Sequence, residues 1–151
     1  MAADAALGAP ASCKLEDVLA ADLGGMPVRS CGKLDVHATA DELTAAKSCV
    51  LAAVEALEPF QVQWDMVGAD SRVAHAYVGL AGEEASLEIR SYSYDGNRRG
   101  VGGSESLPST WISRCGGLRA KDGCEGEQLR YSLCLECATL VELPGCLTEG
   151  P

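Results

Sequence analysis

The sequence predicts an α+β domain: one short and one long helix packed on an antiparallel meander of roughly four to six strands, stapled by disulfides. Three observations point there. A capped stretch of helical apolar spacing runs up to Pro59. Directly after it the apolar period drops from about 3.6 to two, and it stays there through three turn-separated segments. Eight cysteines flank that middle: Cys13, Cys31 and Cys49 before it, then Cys115, Cys124, Cys134, Cys137 and Cys146 after it. Both groups are odd in number, so full pairing within the chain requires at least one bridge between its two ends.

Taken in order, residues 1–12 are Ala-rich and read as a flexible linker, with residues 13–151 as a single domain. Ser12 is placed to cap a short helix over residues 13–23, whose apolar stripe is Leu15, Val18, Leu19 and Leu23. Asp22 falls inside that stripe, near a helix C-terminus where a carboxylate is disfavoured, so the helix is expected to end before Gly24-Gly25. Residues 26–38 read as loop, with a short strand at Val28. Thr39-Ala40-Asp41-Glu42 is a capping box that opens the long helix. Leu43, Ala46, Val50, Ala53, Val54 and Leu57 line one face of it before Pro59 stops it.

The meander follows. Phe60, Val62, Trp64 and Met66 alternate with Gln61, Gln63 and Asp65. Residues 72–80 set Ala74, Ala76, Val78 and Leu80 against Val73, His75 and Tyr77. Residues 85–94 form the third strand. Residues 95–110 carry Gly96, Gly100, Gly102, Gly103 and Pro108 and read as a long loop, mobile or functional. Short strands are predicted over residues 111–114, 128–135 and 138–143.

Net charge is −10 over 151 residues, with a pI near 4.5. That argues against nucleic acid and anionic membranes as partners, because both are polyanions. Apolar runs are too short for a membrane-spanning helix. The bases gather in Arg98, Arg99, Arg114, Arg119 and Lys121. Eight cysteines in a chain of this size point to an oxidising compartment. The first twelve residues lack a basic n-region and an apolar h-region, so the expectation is a mature chain whose export signal has been removed.

Cys134-Leu135-Glu136-Cys137 is the one CxxC. A redox motif should open a helix and a zinc site needs a second close ligand pair. Neither context is present, so both residues are expected to be structural half-cystines bonded to different elements. Eight cysteines allow on the order of a hundred pairings, and spacing does not choose among them. His75 and Asp65 form the one candidate acid–base pair, if the hairpin between them brings them face to face. His37 reads as loop surface. Arg99-Gly100-Val101-Gly102-Gly103-Ser104 lacks the strand and helix that a phosphate cradle needs. We expect no cofactor and no metal.

The Ala-rich start, the capped helix ending in Glu58-Pro59-Phe60, the Val62-Gln63-Trp64 strand, His75-Ala76-Tyr77-Val78-Gly79 and the late Cys134-Leu135-Glu136-Cys137 resemble small exported, cysteine-rich lipoproteins of high-GC soil bacteria such as myxobacteria. The resemblance implies an envelope or secreted location and no activity. The helix followed by a meander also looks like cystatin-type folds. Their inhibitors carry Q-x-V-x-G where this chain has Gln61-Val62-Gln63-Trp64-Asp65, so that mode of protease inhibition is not implied. The expected function is a non-enzymatic binding or structural module outside the cytoplasm, its partner a protein, a glycan or an acidic small molecule. The expected contact surface is Tyr92, Tyr94, Arg98 and Arg99, aromatics beside arginines. The alternative is a hydrolase-like enzyme centred on His75 and Asp65.

Overall fold

The structure, a computed structural model, describes residues 9–66, 71–97 and 107–148. The element order is α1 (Leu15–Leu23), β1 (Arg29–Leu34), α2 (Ala40–Ala56), β2 (Phe60–Met66), β3 (Val73–Ala81), β4 (Leu87–Asp95), β5 (Ser109–Ala120), α3 (Gln128–Ser132) and β6 (Leu135–Leu147). One six-stranded sheet holds the strands in sequence order. Pairings from β2 to β6 are antiparallel, and β1 lies parallel to β2 across the α2 crossover.

The first three strands of the expected meander, β2 to β4, lie at nearly their expected bounds. β5 and β6, expected over residues 111–114 and 138–143, run well beyond them, and β5 takes in Ser109 and Thr110 from the end of the expected loop. The capping box is present too: Thr39 Oγ1 accepts from Glu42 N at 3.1 Å, and Glu42 Oε1 accepts from Thr39 N at 2.9 Å. Four departures from expectation have physical reasons. β1 has no alternating apolar pattern, because only Cys31 of its six residues is buried. Its pairing with β2 and the Cys31–Cys49 bridge to α2 hold it in place. Ser12 does not cap α1. Its hydroxyl instead accepts from Lys14 N at 3.1 Å and donates to Asp17 at 2.5 Å. Leu57 lies outside the stripe of α2; it terminates the helix at φ 56° and is exposed.

The fourth departure is the segment predicted as a strand over residues 128–135, which is mostly the short helix α3. The Cys124–Cys134 bridge closes a tight loop there, and Leu133 and Cys134 reverse the chain at φ 54° and 51°. Arg130 anchors α3 by donating to Val36 O at 2.8 Å and Ala38 O at 2.5 Å. The strand begins only at Leu135, so Cys134 precedes it.

Successive strand residues point to opposite faces, and here each face carries its own helix. α2 covers one face, packing Leu43, Ala46, Val50 and Ala53 near Phe60, Val62 and Trp64. α1 covers the other, packing Leu15, Val18 and Leu19 near Ala74, Ala76 and Tyr92. The two helices therefore enclose the centre of the sheet from both sides. This explains why β3, which reads as half-buried, is buried at five consecutive residues from Ala76 to Leu80.

Gly79 shows how tightly the α2 face is packed. A Cβ there would collide with the Phe60 ring, its direct cross-strand neighbour. Gly79→Ala is expected to cost about 1–3 kcal/mol by overpacking. Urea denaturation of the oxidised protein measures it, and an unchanged midpoint would show that the ring has room to move.

Candidate functional site

All eight cysteines are bridged: Cys13–Cys146, Cys31–Cys49, Cys115–Cys137 and Cys124–Cys134. The two ends are thereby joined once. Cys134 and Cys137 reach different elements, a loop and β5, and both are occupied as half-cystines. Among the described residues no cluster of three or more His, Cys, Asp or Glu side chains is placed to hold a metal ion.

The candidate catalytic pair is not brought together. Register places His75 opposite Trp64, whereas Asp65 lies opposite Ala74. The imidazole and the carboxylate therefore project from opposite faces of the sheet. His75 stacks on Trp64 with ring centroids 5.7 Å apart, and burial holds its pKa below the usual imidazole value. Asp65 is engaged by Arg72, whose Nε donates to it at 3.0 Å. His37 is exposed in the loop before α2, as expected.

The expected contact surface is also corrected. Tyr92 is fully buried and Tyr94 is 5% exposed. Both lie on the face covered by α1, where their hydroxyls and rings serve the fold. Tyr92 donates to Asp22 at 2.5 Å, and Arg90 lies 3.3 Å from the same carboxylate. The Tyr94 ring lies under the Arg72 guanidinium, 5.4 Å away. Arg98 and Arg99 lie outside the described residues. Of the other bases in the expected basic patch, Arg119 pairs with Glu136 at 2.9 Å and Arg114 approaches Glu88 at 3.9 Å.

Asp22, the residue out of place in its helix stripe, was the sequence signal for the first of these contacts. A carboxylate in an apolar stripe marks a buried partner, and that partner is Tyr92. A second network fastens α1 to the sheet. Arg72 grips Glu16 with two donors at 2.9 and 2.6 Å, and Gln63 donates to the same carboxylate at 3.1 Å. The Arg72 hydrogen bonds hold the Glu16 pKa down to about 2.

The exposed surface lies elsewhere, on the β5–β6 ribbon. Eight large apolar side chains are exposed among the described residues, and four of them, Trp111, Leu140, Val141 and Leu147, are on these two strands. A groove of about 450 Å³ runs along the ribbon between Trp111, Ser113, Leu140, Glu142 and Leu147. At Gly145 the β5 and β6 chains approach so closely that a Cβ would sit 2.7 Å from Thr110 O. The pairing slips by one residue beside this contact, between Thr110 and Ile112. Cys115–Cys137 cross-links the two strands of the ribbon, and Cys13–Cys146 ties β6 to the segment before α1. Trp111, 41% exposed, was readable as a strand residue but not as an outward one. Its neighbours Ile112 and Arg114 give no clear inside face, because β5 is next to the sheet edge.

No protein-family model, curated protein or solved structure matches this chain.

Proposed function

We propose that this chain is an exported, non-enzymatic binding module that presents the Trp111 groove to an extracellular protein partner. The observation that carries this reading is the placing of three exposed apolar side chains, Trp111, Leu140 and Leu147, along one groove of a disulfide-braced ribbon. Contiguous exposed apolar surface marks interaction sites. Trp is the residue type most often found at energetic hot spots, and a braced backbone lowers the entropy lost on binding. Among the described residues, the only ionisable side chain lining the groove is Glu142. It suits a partner that sets an apolar side chain beside a basic one, and it disfavours an acidic small molecule. Four disulfides support a location outside the cytoplasm. Among the described residues no helix is long and apolar enough to cross a membrane. The separation of His75 from Asp65 leaves the hydrolase alternative without its proposed centre.

The test is to screen the oxidised protein against arrays of extracellular proteins and glycans beside Trp111→Ala. An exposed side chain contributes little to folding, so the variant should keep its stability within about 0.5 kcal/mol. Loss of a hot-spot Trp should weaken the genuine partner by about 30-fold or more. Binding that Trp111→Ala leaves intact would overturn this assignment of the contact surface. A glycan as the sole ligand would overturn the protein partner.

A further inference from the structure

The two edges of the sheet are treated differently. Strand edges offer unpaired N–H and C=O groups, and proteins blunt them with charges, prolines and bulges. The β1 edge has these devices: Lys33 is exposed, Gly32 adopts φ 127°, and the pairing breaks between Ser30 and Lys33. The β6 edge has fewer of them, with Glu142 the one charge in its exposed stretch from Ala138 to Glu142. From Leu135 to Leu143 its register against β5 is unbroken, and Pro144-Gly145 interrupts only the far end. Ala138-Thr139-Leu140-Val141-Glu142 is exposed throughout. It carries aliphatic side chains on both faces, with Leu140 62% and Val141 54% exposed.

We infer that β6 is the pairing edge for a second copy of this chain, joined antiparallel about a two-fold axis at Leu140 so that the sheet continues through both copies. Two observations favour a second copy over an arbitrary extended peptide. The first is self-complementarity. With Leu140 opposite Leu140 of the second copy, Thr139 meets Val141 and Ala138 meets Glu142, so no like charges face each other and every opposed pair shares a face. The second is charge. The chain carries −10, yet β5 and β6 together hold two acids, Glu136 and Glu142, and two bases, Arg114 and Arg119. Glu136 is paired with Arg119 at 2.9 Å, and Glu142 meets Ala138 rather than a like charge, so no acids oppose each other directly at the seam. The Cys115–Cys137 bridge fixes the edge in its paired shape beforehand. Protection of the β1 edge makes the assembly close at two.

This pairing stands apart from the identity of the groove's partner, since its readout is mass. Sedimentation of the oxidised protein from about 1 μM to about 1 mM spans the relevant affinities. It should show conversion from the 15.7 kDa chain to a species of twice that mass. Leu140→Lys and Leu140→Glu should each remain monomeric, because like charges then oppose across the axis. An equimolar mixture of the two should recover the dimer. Leu140 is exposed, so both variants should keep the melting temperature of the parent. A monomer at every concentration would overturn the inference. So would a dimer that survives both substitutions, a mixture that fails to reassociate, or growth beyond two copies.

Discussion

Replacing Cys13 and Cys146 together by alanine is expected to lower the melting temperature of the otherwise oxidised protein by about 8–16 °C. This bridge spans 133 residues, much further than the others, whose separations are 18, 22 and 10. A cross-link stabilises chiefly by removing conformations from the unfolded chain, and it removes more as the loop lengthens. The loop-closure relation gives about 5 kcal/mol for an unobstructed loop of that length. The three inner bridges shorten it only modestly, and about 4 kcal/mol, the upper end of the usual effect of one disulfide, sets the expected loss. A domain of this size loses about 2–4 °C per kcal/mol.

The bridge also has a local role. Cys13 lies two residues before the start of α1, and its carbonyl accepts from the Thr110 hydroxyl at 2.9 Å. Cys146 packs against the core beneath that helix. Amide exchange in α1 should therefore rise more than exchange in α2, which its own bridge to β1 retains. A fall of only a few degrees, with α1 still protected, would show that packing alone holds the two ends together.

The second large effect is on acid stability. Glu16→Gln should make the protein less stable at neutral pH by about 1–2 kcal/mol while flattening its loss of stability in acid. The Glu16 carboxyl has a pKa of about 2 in the folded chain against 4.5 for the ordinary group. A depressed carboxylate pKa means that the unfolded chain binds the proton first. The stabilisation is thus complete above pH 4.5 and disappears as the pH falls through 2. The full shift would correspond to about 3 kcal/mol. The side chain is 35% exposed, so solvent screening reduces this to the smaller figure. Arg72 also pairs with Asp65 at 2.9 Å, so loss of the Glu16 charge does not orphan its guanidinium. Denaturant midpoints measured between pH 7 and pH 2 for both proteins provide the check. Parallel curves would show that Glu16 is not the acid-sensitive contact.

Much of the architecture was readable because its signals are local. The capping box, the arrest at Pro59 and the switch of apolar period each involve neighbours in sequence, and α2 to β4 fall where those signals place them. β1 was not readable. Its residues are held by a parallel partner and a bridge, both set by distant parts of the chain. α3 was misread as a strand because Tyr131, Leu133 and Leu135 alternate, whereas the loop closed by Cys124–Cys134 demands a reversal at Leu133 and Cys134. The tyrosines failed as contact residues for a related reason. Alternation along β4 separates its two faces but cannot say which face meets solvent, and here α1 covers the face that holds Tyr92 and Tyr94.

By itself the sequence determined that this is an oxidised α+β domain with its ends tied together. Helix periodicity, strand alternation and an odd split of cysteines are properties of the linear chain. Only the tertiary structure decided which cysteines pair, that helices cover both faces of the sheet, that His75 and Asp65 are parted, and that exposed apolar surface collects on β5 and β6. Those outcomes depend on register and on the order of strands in the sheet. A shift of one residue in register exchanges the two faces of a strand, and a single strand's pattern does not reveal whether it ends at the centre or at the edge.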